Sequence, residues 1–201
     1  MRVIAGEFRS RLLQAPKGMA TRPTSDKLRQ TLFNILEAGV GPRVEGSRFV
    51  DLYAGSGAVG IEAISRGAEF VWFAEKEKPA VAAIRANLAM LKIGGGYALE
   101  DRGVGKLLES MVDKGRMAEI VYLDPPWEAA EEYDFALHFL CRHQAEMLGE
   151  GAIVIAEHGK KLPPPEIYKA KSGGVLERYR LLLQGDAALS FYAARAGETT
   201  S

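Results

Sequence analysis

Asp51-Leu-Tyr-Ala-Gly-Ser-Gly-Ala-Val-Gly60 is the stretch that decides how this chain reads. Before it runs Arg48-Phe-Val-Asp-Leu-Tyr, a strand; after it, Ala58 to Arg66 reads as a helix. Gly55, Gly57 and Gly60 match G-x-G-x-x-G, a turn that carries a strand tightly into a helix and lets a ligand approach the backbone. Glu75 follows Gly55 by 20 residues, the spacing at which an acidic side chain meets ribose hydroxyls. A strand-to-helix turn that binds nothing is the plain alternative. Against it, three glycines, a strand, a helix and a spaced acid coincide.

Downstream, the chain alternates. Strands are expected at Phe70–Ala74, Tyr97–Leu99, Glu119–Leu123 and Ala152–Ala156, and helices at Lys78–Lys92, Val104–Val112 and Glu131–Leu148. Near-continuous apolar strands between helices predict a parallel, doubly wound sheet covered on both faces. The runs Leu176–Leu183 and Ala188–Ala194 leave room only for Gln184-Gly-Asp between them, so they form an antiparallel hairpin at the sheet edge. Upstream, Arg2–Phe8 and Arg11–Ala15 read as two short strands around Arg9-Ser10. A loop follows, then a helix capped by Thr24 or Ser25 and running to about Glu37, with Leu28, Leu32, Ile35 and Leu36 at helical spacing. Gly39-Val-Gly-Pro-Arg43 ends it. The expected fold is α/β and Rossmann-like: a mostly parallel seven-stranded sheet with an antiparallel C-terminal hairpin, plus a small N-terminal β-hairpin and helix. Residues 1–40 form the extension, 41–195 the main domain, and 196–201 a disordered tail.

At 201 residues the chain has the size of one domain. Its 26 Lys and Arg equal its 26 Asp and Glu, which excludes a histone-like polycation and an acidic tail. The charge is segregated, however. Residues 1–30 hold Arg2, Arg9, Arg11, Lys17, Arg22, Lys27 and Arg29 against Glu7 and Asp26, a surplus of five that the remainder offsets. A basic arm on a mildly acidic body suits a nucleic-acid partner; a solvated edge hairpin is the plainer reading. Cys141 is alone, which excludes an internal disulfide and a cysteine-based zinc site and points to a reducing compartment. His138, His143 and His158 are not at metal-ligand spacing, and no metal is expected. With no signal-peptide pattern and no membrane-length apolar run, the expectation is a soluble cytoplasmic protein.

Asp51 helps choose the ligand. A carboxylate four residues before Gly55 would crowd a pyrophosphate at the helix N-terminus. It suits a ligand with a cationic amino group, such as the methionine end of S-adenosylmethionine, with Glu75 on the ribose and Asp101, or its neighbour Glu100, on the adenine amino group. The second dense motif is Leu123-Asp124-Pro125-Pro126-Trp127, at the end of the fourth strand. In open α/β sheets ligands bind beyond the carboxyl ends of the strands. Two prolines stiffen the loop, so the Asp124 carboxylate and a nearby carbonyl are acceptors for an exocyclic –NH₂ group. Trp127 offers a flat face for a base. An aromatic amino nitrogen is a poor nucleophile, and orienting its hydrogens toward acceptors frees its lone pair for a sulfonium methyl. Positioning then carries the catalysis.

The residues of Asp51–Gly57, Ala74-Glu75-Lys76-Glu77 and Leu123–Pro126 resemble class I S-adenosylmethionine-dependent methyltransferases that act on exocyclic amines. Three further segments narrow the likeness: Arg2–Leu13, Arg22-Pro-Thr-Ser-Asp-Lys-Leu-Arg-Gln-Thr-Leu-Phe-Asn34 and Gly185-Asp-Ala-Ala-Leu-Ser-Phe-Tyr192. They are similar to the bacterial 16S rRNA (guanine(966)-N2)-methyltransferase family, from residue 1 to about 194. The resemblance implies S-adenosylmethionine as cofactor and a guanine amine of 16S ribosomal RNA, within an assembled small subunit, as substrate. It adds Tyr53, Ala54, Ser56 and Lys76 to the cofactor site. It gives Asp124, Pro125, Pro126 and Trp127 the catalytic role, and Arg9, Arg11, Arg22, Thr24 and Arg29 the RNA contacts. A monomer is expected. Two positions depart from the family pattern: Trp127 stands where Tyr or Phe is common, and Ala187 where the Gly-Asp-Thr pattern has Thr. The rivals are a DNA adenine-N6 methyltransferase, an NAD-dependent oxidoreductase and a catalytically dead RNA chaperone. The first needs a target-recognition domain, which the short stretch between Trp127 and Gly159 hardly accommodates. The second leaves Asp51 and Asp124-Pro-Pro-Trp without a role, and the third leaves the intact Asp124 motif unexplained.

Overall fold

A computed structural model describes residues 1–16 and 26–196. The elements in chain order are α1 (Asp26–Glu37), β1 (Arg48–Leu52), α2 (Ala58–Ser65), β2 (Phe70–Ala74), α3 (Lys78–Met90), β3 (Tyr97–Glu100), α4 (Val104–Asp113), β4 (Ala118–Leu123), α5 (Ala130–Arg142), α6 (Gln144–Met147), β5 (Leu148–Gly159), β6 (Ile167–Lys169), β7 (Gly174–Gln184) and β8 (Ala187–Ala196). They build one sheet in the order β3-β2-β1-β4-β5-β8-β7-β6. β1 to β5 pair in parallel; β8, β7 and β6 add antiparallel.

The apolar runs explain the layering. β1, β2 and β4 are buried on both faces, so successive side chains supply two cores. Phe49, Phe73, Ile120, Tyr122, Ile155 and Phe191 face α1, α2 and α3. Val50, Trp72, Leu123, Val154 and Tyr192 face α4 and α5. The chain runs outward from β1 to β2 and β3 on one side, and from β4 to β5 on the other. The gap beyond the carboxyl ends of β1 and β4 is therefore the switch point where such sheets bind ligands.

Three expectations change. The sheet has eight strands instead of seven, because Ile167-Tyr168-Lys169 adds to the edge of β7. Three residues beside prolines are too few to show an alternating pattern. The helix expected over 131–148 breaks at His143 into α5 and α6. The N-terminal hairpin is one antiparallel bridge, Arg2 with Leu12. Val3 and Leu13 donate across the hairpin to Arg11 and Met1, while other amides turn to α2: Ile4 and Ala5 donate to the Glu62 carboxylate at 2.7 and 3.0 Å, and Phe8 to Ser65 Oγ at 2.9 Å. Gly6 makes this docking possible. It has φ +80°, and a Cβ there would lie 1.7 Å from the Ser65 carbonyl oxygen. Val3 and Leu13 join α1 in the same core as Phe49 and Ile61, so the arm and α1 share the interior of the sheet domain. Ala196, placed in the expected tail, ends β8 opposite Gly174. The rest of that tail, and the helix caps expected at Thr24 and Ser25, lie outside the described residues.

Candidate active site

Beyond β1 and β4 lies a cavity of about 520 Å³. It is lined from the β1 side by Asp51, Tyr53 and the Ala54-Gly55-Ser56 turn, from β2 by Glu75 and Lys76, and from β4 by Tyr122, Asp124, Pro125, Pro126 and Trp127. The two motifs, more than 60 residues apart in the chain, thus face one volume. That volume is in the range of small-molecule sites.

The glycine turn uses each glycine differently. Gly55 has φ +56°, and a Cβ there would point into open space, so its backbone stands bare toward the cavity. Gly57, at φ +77°, is the N-cap of α2. A Cβ on Gly60 would come within 2.2 Å of the Phe73 ring, so Gly60 lets α2 lie close on β2. Carboxylates hold the turn. Asp51 Oδ2 accepts the Gly60 amide at 2.8 Å, and burial pushes the Asp51 carboxyl up to about 8. Glu75 accepts the amide of Gly55 at 2.8 Å, and with its other oxygen those of Lys76 and Glu77 at 2.8 and 2.9 Å. Tyr53, with φ +60°, donates its hydroxyl to Glu132 Oε2 at 2.8 Å. Burial, then the Glu132 carboxylate, holds that hydroxyl well above its usual range.

The opposite wall is held by hydroxyls. Tyr133 of α5 donates to the carbonyl of Glu157 at 2.8 Å and to that of Pro125 at 3.3 Å. Tyr122 donates to the buried Glu157 carboxylate. Trp127 leans on the end of β5, where a Cβ on Gly159 would sit 2.9 Å from its Cε3 atom. One side of the indole is thereby braced, while the ring still borders the cavity.

Asp101 does not join these residues. It pairs with Arg85 at 2.7 Å and does not line the cavity, while Glu100 pairs with Arg102. Arg9 and Arg11 are exposed on the arm. Arg29 is fully buried: its guanidinium meets Asp26 at 3.0 Å and Glu62 at 3.8 Å and donates to the Arg2 carbonyl. It cannot face RNA from there, because Glu62, itself buried inside α2, needs its charge. Arg22 and Thr24 lie outside the described residues. Among the described residues, no cluster of His, Cys, Asp or Glu is set to hold a metal, and no helix is long and apolar enough to cross a membrane.

Sequence reading missed Met1, Ala15, Pro16, Tyr122 and Glu132 on the cavity wall, and Tyr133 and Glu157 behind it. Only Tyr122 carried a signal: it precedes Asp124 by two, at the end of the strand that leads into the motif.

The family model described as "Conserved hypothetical protein 95" matches residues 1–192. The chain belongs to this family. A relative from Haemophilus influenzae, named "Ribosomal RNA small subunit methyltransferase D", is 33% identical over 189 residues, covering 90% of this chain and 92% of that one. The protein of the same name from Escherichia coli K12 is 35% identical over 127 residues, 63% of this chain and 60% of that one. A solved hypothetical protein of Thermus thermophilus superimposes with a TM-score of 0.75 at 25% identity, covering 95% of this chain and 98% of that one. The family's fold, with its antiparallel end on a parallel sheet, is that of class I S-adenosylmethionine-dependent methyltransferases.

Proposed function

We infer that this protein transfers a methyl group from S-adenosylmethionine to the exocyclic N2 amine of a guanine in 16S ribosomal RNA. The observation that carries this reading is the single cavity shared by the Gly55 turn, Glu75 and the Asp124-Pro-Pro-Trp loop. A methyl-transfer site needs a cofactor wall and an acceptor wall across one small volume, and family membership supplies the substrate class.

The donor set suits the cofactor. The bare backbone at Gly55 admits close approach, and the Glu75 carboxylate, steered by three amides, keeps lone pairs for ribose hydroxyls. Asp51 supports the turn from below and reaches the wall where a cationic amino group would sit. When bound, the cofactor supplies an electrophilic methyl on a sulfonium. The protein's part is to orient the amine. Asp124 accepts one amine hydrogen and turns the nitrogen lone pair toward the methyl, and Trp127 stacks on the base. After transfer the nitrogen is cationic and sheds a proton readily, so Asp124 needs no unusual basicity.

Arg9 and Arg11 contact RNA, as do Arg22 and Thr24, which lie outside the described residues; the exposure of Arg9 and Arg11 and the local charge surplus support this. The natural substrate is an assembled small subunit, the enzyme works as a monomer, and it resides in the cytoplasm with its substrate. The adenine-N6 alternative gains nothing, since α5, α6 and β5 occupy the chain from Ala130 to Gly159 and leave no room for a target-recognition domain.

The test is methyl transfer from labelled S-adenosylmethionine to naked 16S RNA and to small subunits from a strain lacking the gene, with mass spectrometry of the digested RNA. One new N2-methylguanine, formed faster on subunits, is the expected result. No transfer to either substrate overturns the assignment. Replacing Arg9 and Arg11 by Ala should also lower the salt dependence of RNA binding by about one log–log unit per lost phosphate contact, with cofactor affinity unchanged.

A further inference from the structure

Glu157 is a carboxylate with 4% exposure, next to the reacting end of the sheet, and nothing in the mechanism above uses it. β4 and β5 run parallel with Leu123, the last residue of β4, opposite Ala156; Asp124 follows the one and Glu157 the other along the chain. Tyr122 lies opposite Ile155, one row back. Side chains alternate, so Glu157 projects from the same face of β5 as Ile155, the face that Tyr122 shares on β4. Tyr122 lines the cavity and donates its hydroxyl to Glu157 Oε2.

An amino group carries two hydrogens, and orienting both takes two acceptors. Asp124 supplies one. The nearby carbonyl of Pro125 is partly engaged, since it already accepts from Tyr133 on the side of α5. A tyrosine hydroxyl that donates its proton to a carboxylate turns its oxygen lone pairs the other way. Tyr122 is among the residues that line the cavity.

We propose that Tyr122 is a further catalytic residue, its hydroxyl oxygen accepting the second hydrogen of the target amine, and that Glu157 is the positioning residue that fixes the direction of that hydroxyl. The inference rests on the methyl-transfer reading above. Without Glu157 the Tyr122 proton is free to rotate into the cavity, where it would oppose the amine as a competing donor. As the nitrogen becomes cationic, the oriented oxygen and the carboxylate behind it also stabilise the growing charge.

The test is single-turnover methyl transfer to small subunits at saturating cofactor and RNA, with cofactor affinity by calorimetry. Tyr122→Phe should slow the step by about 10- to 100-fold, the loss of one preorganised polar group, while S-adenosylmethionine affinity stays within about twofold. Glu157→Leu should match it. Glu157→Gln keeps an acceptor oxygen for Tyr122 and should retain the rate within about threefold, a rescue that a merely space-filling role would not distinguish from Leu. The double variant Tyr122→Phe, Glu157→Leu should be no slower than Tyr122→Phe, because both remove one interaction. Should Glu157→Leu fail to fold, Tyr122→Phe and Glu157→Gln still decide. A wild-type rate in Tyr122→Phe, or equal loss in Glu157→Gln and Glu157→Leu, overturns the proposal alone. An inactive wild-type enzyme overturns the methyl-transfer reading and this inference with it.

Discussion

On the β1–β2 side of the cavity, carboxylates hold backbone amides: Asp51 takes Gly60, and Glu75 takes Gly55, Lys76 and Glu77. On the β4–β5 side, hydroxyls hold oxygens: Tyr133 takes the Pro125 and Glu157 carbonyls, and Tyr122 the Glu157 carboxylate. The first wall thereby presents a shaped, open turn and a steered carboxylate, which suits tight binding of a ligand with hydroxyls and a cationic end. The second presents fixed acceptors, which suit a group that must be oriented in the instant of reaction. Damage to the first wall should appear as lost cofactor affinity, and damage to the second as lost rate.

The largest effect is expected on the second wall. Asp124→Ala should cut turnover at least ~10²-fold with cofactor affinity intact; equal losses in both would break the division of labour. Glu75→Ala should do the reverse. Losing a charged acceptor weakens S-adenosylmethionine binding ~10- to 150-fold, read by calorimetry, with turnover at saturation close to normal. Tyr133→Phe strips the donor from two buried carbonyls, so it should cost about 1–3 kcal/mol in urea unfolding, and slow turnover only a few-fold through the looser Pro125.

The smallest functional change is expected at Asp51. Asp51→Asn keeps an acceptor for the Gly60 amide and should change cofactor affinity only a few-fold. Its signature is in stability against pH. The Asp51 carboxyl titrates near 8 when folded, and near 4 when unfolded. Folding therefore takes up a proton between those values. The wild type should lose stability as pH rises from about 4 to about 8, and the Asn variant should lack that component. Superimposable curves of Tm against pH for the two proteins would show that Asp51 is not held neutral in the folded state.

Legibility followed locality. The Gly55 turn, Glu75 and Asp124-Pro-Pro-Trp could be read because each is a short run whose chemistry depends on its own backbone, at the end of a strand whose apolar run is equally local. Asp101 could not be resolved, because its partner Arg85 comes from another element. The same holds for Arg29, read as an RNA contact from its charge alone. Charge in a sequence does not say which side of a helix is buried, and α1 turns Arg29 inward to Glu62.

By itself, the amino-acid sequence determined the alternating α/β order, the antiparallel end, the basic arm and both motifs, since strand period, glycine geometry and proline stiffness act over a few residues. Only the tertiary structure decided which residues share the cavity. Sheet order put β4 beside β1 and β5 beside β4, and register then set Tyr122 opposite Ile155 with Glu157 within reach of its hydroxyl. The arm's turn onto α2 and the three-residue edge strand β6 were decided there too. The arm's partners on α2 and the β4–β5 pairs lie far along the chain, which no local pattern encodes, and β6 is too short to show an alternating pattern.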